Sequence, residues 1–211
     1  MSRSKRAGRP VPFLDELVRK ILAGEKDHTR RILRSKDFLE YGGVGDLLYV
    51  RETVRAEKLD GVLGLRYRAD DAFVPFSTKY EDGVGWSEWA TLYQYQGAEG
   101  RYVPPLHSPR WASRLTLRIL ETRVERIQAI TREDAIREGV GRADGLEGRN
   151  PVARFRDLWT VTYGPHAWGR NDWVQVIAFD PIRKHIDEVI ANGDEATRAR
   201  EPLERDQQGR P

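Results

Sequence analysis

The apolar residues of this chain change from a helical to an extended period and back, without the regular alternation of strand and helix that a doubly wound sheet requires. Near the start, apolar residues recur on one face of a helix, at Leu14, Leu17, Val18, Ile21 and Leu22. Further on, Leu115, Leu117 and Ile119 alternate with polar residues, which predicts a strand. The pattern favours an α+β fold, a small mixed β-barrel with helices at its rim.

Three segments are predicted to depart from this regular domain, which we place at residues 12–180. Residues 1–11 carry four basic side chains and predict a disordered arm, which either contacts nucleic acid or only aids solubility. Residues 70–113 combine prolines and aromatic residues without a steady period, and they predict a long, partly irregular insertion. Residues 181–211 predict one short helix and then a disordered tail, because the last stretch has too few apolar residues to pack.

The composition limits the classes of protein to which the chain can belong. Its net charge of +3 falls to near neutrality once the arm is set aside, which argues against a phosphate-binding face over the whole body. The sequence has no cysteine, so disulfides and thiolate metal sites are excluded. The four histidines lack the spacing of metal ligands, and no apolar run reaches the roughly 20 residues of a membrane span. We therefore expect a cytoplasmic protein with no metal and no membrane partner.

A polar cluster follows directly on the first predicted helix. The segment GEKDHTRR, residues 24–31, begins with the glycine that ends this helix. If the chain is extended after the turn, Thr29 and Arg31 point to the same face, and Lys26 can lean over it. An amine held near an arginine and away from water favours its neutral form, which can act as a base for a threonine hydroxyl. The alternative is structural: a lysine at the negative end of a helix and a threonine suited to a strand.

Glu138 is a second candidate for proton transfer. It lies in the last turn of a helix that we predict to begin at the N-cap Thr131 and to end at Gly139. A carboxylate at the negative end of a helix is disfavoured by roughly 0.3–1 kcal/mol. This position is poor for stability and suits a residue that exchanges protons.

The insertion contains a concentration of aromatic residues, namely Trp86, Trp89, Tyr93, Tyr95 and Tyr102. Nearby, Arg110 directly precedes Trp111. Aromatic side chains beside positive charge bind single-stranded nucleic acid or a lone base, at roughly 1–3 kcal/mol per stacked base. Arg110 and Trp111 are therefore candidate substrate-binding residues. The alternative is that the aromatic residues form a satellite core that allows a long loop to fold.

Three stretches resemble one known family. ILAGEKDHTRR resembles the G-x-K-x-x-T-x-R signature of ASCH-domain proteins, which are small β-barrels similar to the PUA domain. GDLLYVRET resembles the glycine–aspartate turn and second strand of that family, and the T-x-x-x-A-x-x-E helix is reproduced by Thr131, Ala135 and Glu138. The likeness covers residues 13–69 and 114–180. In its longer layout, the chain looks like phage or prophage ASCH proteins.

The resemblance implies an activity, because the best-understood bacterial enzymes of this fold are amidohydrolases of N(4)-acetylcytidine. By that likeness the catalytic set is Lys26, Thr29 and Glu138. Lys26 takes the proton of Thr29, whose oxygen attacks the acetyl carbonyl, and Glu138 protonates the departing amine and later helps to activate water. Arg31 matches the arginine of the motif and is expected to bind the substrate. The resemblance implies no metal and no organic cofactor.

Two other functions are compatible with the same residues. One is a non-catalytic PUA-like reader of RNA or modified DNA, whose partner is single-stranded nucleic acid and whose affinity falls steeply with salt. The other is a phage assembly or host-takeover protein that keeps the fold only as a scaffold.

Overall fold

The structure is a computed structural model that describes residues 8–76, 84–140 and 150–198, and these residues form eight strands and five α-helices. The first half contains β1 (Arg9–Pro12), α1 (Asp15–Leu22), β2 (His28–Ile32), β3 (Leu47–Arg51), β4 (Val54–Leu59), β5 (Val62–Tyr67) and β6 (Phe73–Pro75). The second half contains α2 (Val84–Tyr93), β7 (Thr116–Arg126), α3 (Arg132–Arg137), α4 (Pro151–Tyr163), β8 (Trp173–Ile182) and α5 (Ile186–Arg198). Short 3₁₀ turns lie at Tyr95–Gly97, Arg110–Ala112 and Ile127–Ala129.

Five strands make the main sheet, in the order β1-β3-β7-β8-β2. β1 runs parallel to β3, and the other neighbours are antiparallel. β7 and β8 form a long ladder that extends to the pair Arg126 and Trp173, with a shift of register between Ile119 and Glu121. β1 and β2 are the two edges, so the sheet is open between them in the part of the chain that the structure describes. The predicted α+β class is confirmed.

The buried side chains of β8 pack on both faces of the main sheet. Ile177 and Phe179 contribute to a core cluster that includes residues of α1, β1, β3 and β7. Val174 and Val176, on the opposite face, contribute to a second cluster with α3 and α4. Because β2 pairs with β8, its residues lie between these two clusters. The cores on the two faces therefore surround the segment that the sequence motif marks.

The predicted insertion is more regular than its sequence suggests. Its strand β6 joins β4 and β5 in a three-stranded antiparallel sheet. From α2 onward, Trp89, Leu92 and Val103 pack on Val54 and Leu65 of that sheet. The satellite-core interpretation therefore describes the aromatic residues of α2 better than an open stacking surface does. A period was not visible because β6 has only three residues and because Val103 pairs with the remote Val54 as a single bridge.

Two predicted boundaries need correction. Arg9–Pro12 is a strand and not part of a disordered arm, because it pairs with β3 and buries Val11 completely. Residues 1–7 of the predicted arm lie outside the described residues. The short helix predicted after residue 181 is present, and it runs further than expected, over Ile186–Arg198. The predicted disordered tail beyond it, residues 199–211, lies outside the described residues.

Candidate active site

The turn between α1 and β2 is fastened to the end of α3. Gly24 has a φ of 74°, the left-handed conformation that glycine adopts at a helix end. The amide of Asp27 then donates to the carbonyl of Arg137 at 3.1 Å. On the other side of the turn, the Nζ of Lys20 donates to the carbonyl of Gly139 at 2.6 Å. These contacts place Lys26 directly beside Glu138.

Lys26 is buried, with 1% of its surface exposed. Its Nζ donates to the carbonyl of His28 at 2.6 Å, to the carbonyl of Glu138 at 2.8 Å and to Glu138 Oε2 at 2.6 Å. Burial lowers the pKa of Lys26 from its ordinary value, the carboxylate of Glu138 opposes this effect, and the charges of Arg31 and Arg30 add to it. The pKa change is in the direction that a general base requires.

Glu138 is the C-cap residue of α3, and 4% of its surface is exposed. The predicted helix start is also present, since the Thr131 hydroxyl accepts a hydrogen bond from the amide of Asp134. The next residue, Gly139, has a φ of 90°, and a Cβ there would lie 3.0 Å from Cδ of Lys20 and 3.3 Å from Cβ of Lys26. A glycine therefore allows the end of α3 to approach both lysines closely.

Arg30 is a functional candidate that sequence reasoning missed. It lies between Thr29 and Arg31 on β2, and its side chain is fully buried. Its Nη1 donates to Glu138 Oε1 at 3.1 Å. Its other nitrogens donate to Glu125 and Asp134, at distances down to 2.6 Å. The carboxylate of Glu138 is thus held from two sides, by an ammonium and by a guanidinium.

The sequence did carry one signal for Arg30. Asp134 and Glu138 are four residues apart and share a face of α3. Two carboxylates on one buried helix face need a cation opposite them. The strand that faces them offers Arg30.

A cavity of about 60 Å³ opens between β2, the end of β1 and helix α4. Thr29, Arg31 and Glu138 line it, with Arg30 beside them. The Thr29 side chain, 1% exposed, makes no hydrogen bond through its hydroxyl among the described residues. The structure therefore brings three of the predicted site residues to one cavity, and Lys26 lies behind them in contact with Glu138.

Arg31 bridges the two edges of the main sheet. Its Nη2 donates to the carbonyl of Pro12 at 2.8 Å, and its guanidinium lies 4.6 Å from the ring centre of Phe13. Its Nε is buried and has no hydrogen-bond partner. Arg31 thus spans the opening between β1 and β2.

The other two predicted site residues lie elsewhere. The Arg110 guanidinium pairs with Asp187 and lies 5.2 Å from the ring centre of Tyr49. Trp111 packs edge-on against Phe76 and lines a different cavity, of about 560 Å³, beside α5. The structure therefore does not bring Arg110 and Trp111 to the cavity that Arg31 lines. The described part of the predicted insertion, residues 70–76 and 84–113, packs on the sheet of β4, β5 and β6.

The described ranges contain no cluster of three or more His, Asp or Glu residues that could hold a metal ion. None of the helices in these ranges has both the length and the hydropathy of a membrane span.

Comparisons with protein-family models, with curated proteins and with solved structures found no significant match to this chain. Function is therefore inferred from the residues and their geometry.

Proposed function

We propose that this protein is an amidohydrolase of N(4)-acylated cytidine that works through Thr29, Lys26 and Glu138. The observation that carries the proposal is the buried 2.6 Å contact between Lys26 Nζ and Glu138 Oε2, at the wall of a cavity that also receives Thr29. A nucleophile, a base with a lowered pKa and a proton donor are the three groups that acyl transfer needs.

The same proposal includes a PUA-like barrel of the ASCH type. The two edge strands of the main sheet are joined by the Arg31 side chain, which donates to the carbonyl of Pro12. The cavity lies at this junction. A ligand site at the opening of a small barrel is a common arrangement, because side chains from several strands converge there.

Acylation of Thr29 follows from the contacts of Lys26. The Thr29 oxygen attacks the acyl carbonyl carbon while the Thr29 proton passes to the neutral amine of Lys26, and Arg31 stabilises the negative charge on the acyl oxygen. The Lys26 amine must exchange one present contact, that with the His28 carbonyl, for the Thr29 hydroxyl. The neutral amine arises when the Lys26 ammonium passes a proton to the Glu138 carboxylate across their 2.6 Å contact, and Glu138 then gives that proton to the cytosine nitrogen as the C–N bond breaks.

Deacylation returns the groups to their starting state. Lys26 and Glu138 are now ammonium and carboxylate, and the Glu138 carboxylate takes a proton from the attacking water. The water oxygen bonds to the acyl carbon, the Thr29 oxygen leaves and takes a proton from Lys26, and the carboxylic acid is released. Each proton transfer has Lys26 or Glu138 as its donor or its acceptor, and the 2.6 Å contact joins these two residues.

The test is hydrolysis of N(4)-acetylcytidine by the purified full chain, followed by chromatography of the cytidine product. We expect turnover that is lost in Thr29→Val and in Glu138→Gln, two substitutions that keep the shape of the side chain. Thr91→Val makes the same chemical change at an exposed position of helix α2, where the hydroxyl donates to the carbonyl of Ser87, and should keep full turnover. Absence of product from both the nucleoside and a short acetylated oligonucleotide would overturn the proposal.

A second candidate function, a reader of single-stranded nucleic acid, is favoured by the cavity of about 560 Å³ beside α5. Trp111 lines it together with three cations, Arg114, Arg183 and Lys184, and two carboxylates, Asp187 and Glu188, so an aromatic face lies beside a small excess of positive charge. Under this proposal, RNA affinity falls steeply with salt and also falls on removal of residues 1–7, which carry Arg3, Lys5 and Arg6. The deletion stops at residue 7 because Arg9–Pro12 is a strand. Nucleoside turnover should respond little to either change.

A further inference from the structure

Two residues that line the cavity each carry a buried hydrogen-bond donor without an acceptor. Among the described residues, four buried side-chain atoms have no partner, on Asp15, Arg31, Arg51 and Trp159. Of the three that are donors, Arg31 Nε and Trp159 Nε1 belong to residues that line the cavity next to Thr29. Buried polar groups are almost always satisfied, and each exception calls for an explanation. A ligand with hydrogen-bond acceptors that pair with these donors would supply such an explanation.

The surroundings of Trp159 indicate the shape of that ligand. Trp159 lies on α4 and is 3% exposed, with the ring of Tyr163 at 4.3 Å and that of Phe155 at 5.8 Å between centroids. These three rings and Phe13 all line the cavity. The rings of α4 touch one another and leave no gap between them, so they offer one continuous aromatic surface, against which a flat ring can stack at the mouth of the cavity.

The charge at the cavity indicates which edge of the ring is bound. Glu138 is neutralised by Lys26 and Arg30. Arg31, in contrast, forms no ion pair in the described part of the chain, and its one side-chain hydrogen bond goes to a neutral backbone carbonyl. The cavity therefore presents an unbalanced positive charge and unused N–H groups. It favours ligand carbonyl oxygens over ligand N–H groups.

We propose that Trp159 is a specificity-determining residue that donates its indole N–H to the ring carbonyl of a pyrimidin-2-one, while Arg31 faces the acyl oxygen. This inference rests on the proposed amidohydrolase activity and names its substrate class. An N(4)-acylated cytosine carries two carbonyl oxygens, one on the acyl group and one on the ring, and the cavity has two unused donors. Arg31 is two residues from Thr29 on β2 and so serves the reacting carbonyl, which leaves the ring carbonyl for α4.

The assignment predicts that the enzyme distinguishes rings by their 2-carbonyl. N(4)-acetylcytosine and 4-acetamidopyrimidine have the same acylated nitrogen, and the second compound lacks this oxygen. We expect kcat/KM for N(4)-acetylcytosine to be about 10- to 100-fold higher, the range of a hydrogen bond made to an otherwise unpaired buried group. Trp159→Phe keeps an aromatic ring and removes the N–H, and it should reduce this preference to within about threefold.

A matched control is Trp168→Phe. Trp168 packs against the same core cluster and against Phe155, at 6.4 Å between ring centres, without lining the cavity. The same chemical change there should leave the preference for the 2-carbonyl as in the unmodified protein. Circular dichroism and thermal unfolding of both variants show that each has folded.

Binding of the products separates this inference from the activity on which it rests. Calorimetry with cytosine and 4-aminopyrimidine needs no turnover, and we expect tighter binding of cytosine that depends on Trp159. If that preference is found without hydrolysis of any acylated base, the amidohydrolase proposal fails and the binding assignment stands. If hydrolysis is found and Trp159→Phe keeps the full preference, the role of Trp159 is wrong. No binding of cytosine at millimolar concentration would also overturn it.

Discussion

Replacement of Thr29 by valine separates a catalytic from a structural role for the sequence motif. Valine has nearly the shape of threonine and suits a strand equally well. The Thr29 hydroxyl makes no hydrogen bond among the described residues, so the substitution breaks none of the contacts that hold β2 in place. If the motif has only a structural role, Thr29→Val should leave function unchanged. If Thr29 is the nucleophile, the substitution should abolish turnover.

The effect of Thr29→Val on stability follows from the missing partner. Burial of a hydroxyl without a hydrogen bond costs about 1–3 kcal/mol in proteins, and contact with water in the cavity reduces that cost. We therefore expect the free energy of unfolding to stay the same or to rise by up to about 1 kcal/mol, a rise in melting temperature of up to about 4 °C. Turnover of N(4)-acetylcytidine should fall by at least about 1,000-fold, as it does when a nucleophile is removed.

Thr122→Val is the matched control for stability. The Thr122 hydroxyl donates to the carbonyl of Val176 at 3.0 Å and accepts from the buried Gln175 at 2.9 Å. The same substitution there removes both of these hydrogen bonds, although Gln175 keeps its bond to the Gly42 carbonyl, and it should lower the free energy of unfolding by about 1–3 kcal/mol. Urea unfolding followed by circular dichroism measures both variants. A loss of stability in Thr29→Val equal to that in Thr122→Val would refute the geometry, and retained turnover would refute the nucleophile.

Three further perturbations test the surroundings of Glu138. Arg30→Met leaves the carboxylates of Glu125, Asp134 and Glu138 without their guanidinium. It should lower the free energy of unfolding, measured in urea, by about 3–5 kcal/mol, and Arg30→Lys should lower it by less. Because burial lowers the pKa of Lys26 below 10.5, the unfolded chain binds more protons than the folded chain between the two pKa values. The free energy of unfolding should therefore rise with pH across that interval, and less so in Lys26→Met; an equal rise in both would contradict the lowered pKa. Gly139→Ala forces an alanine to a φ of 90° against Lys20. It should lower the free energy of unfolding by about 1–3 kcal/mol and should also reduce turnover; thermal unfolding measures the first effect and the hydrolysis assay the second.

The sequence predicted the parts of the fold that depend on local pattern. The apolar stripe of α1 and its glycine stop specify that helix, and Asn150 followed by Pro151 marks the start of α4. Lys26 lies two residues after the glycine that ends α1, and Glu138 directly before the glycine that ends α3, which made both visible as candidates. Their approach to one another depends on contacts between remote segments, and the family resemblance suggested it where local pattern did not.

The parts that sequence reasoning missed depend on neighbours that are distant in the chain. β1 reads RPVP, and its prolines and single buried apolar residue hide an edge strand that only pairing with β3 reveals. Arg30 was passed over because alternation along β2 sets it apart from Thr29 and Arg31. Its partners come from β7 and α3, more than 90 residues away.

The distribution of satisfied and unsatisfied groups separates the ion network from the cavity. Lys26 has three acceptors for its three protons, and Arg30 contacts three carboxylates, so the network behind the cavity completes its own hydrogen bonds. On the cavity side, the Thr29 hydroxyl, Arg31 Nε and Trp159 Nε1 have no partners within the described residues. A network that served only stability has no reason to border three unused polar groups, each of which costs free energy when buried. The network orients Glu138 toward the space where those groups are unpaired, and a ligand that pairs with them meets the carboxylate as well.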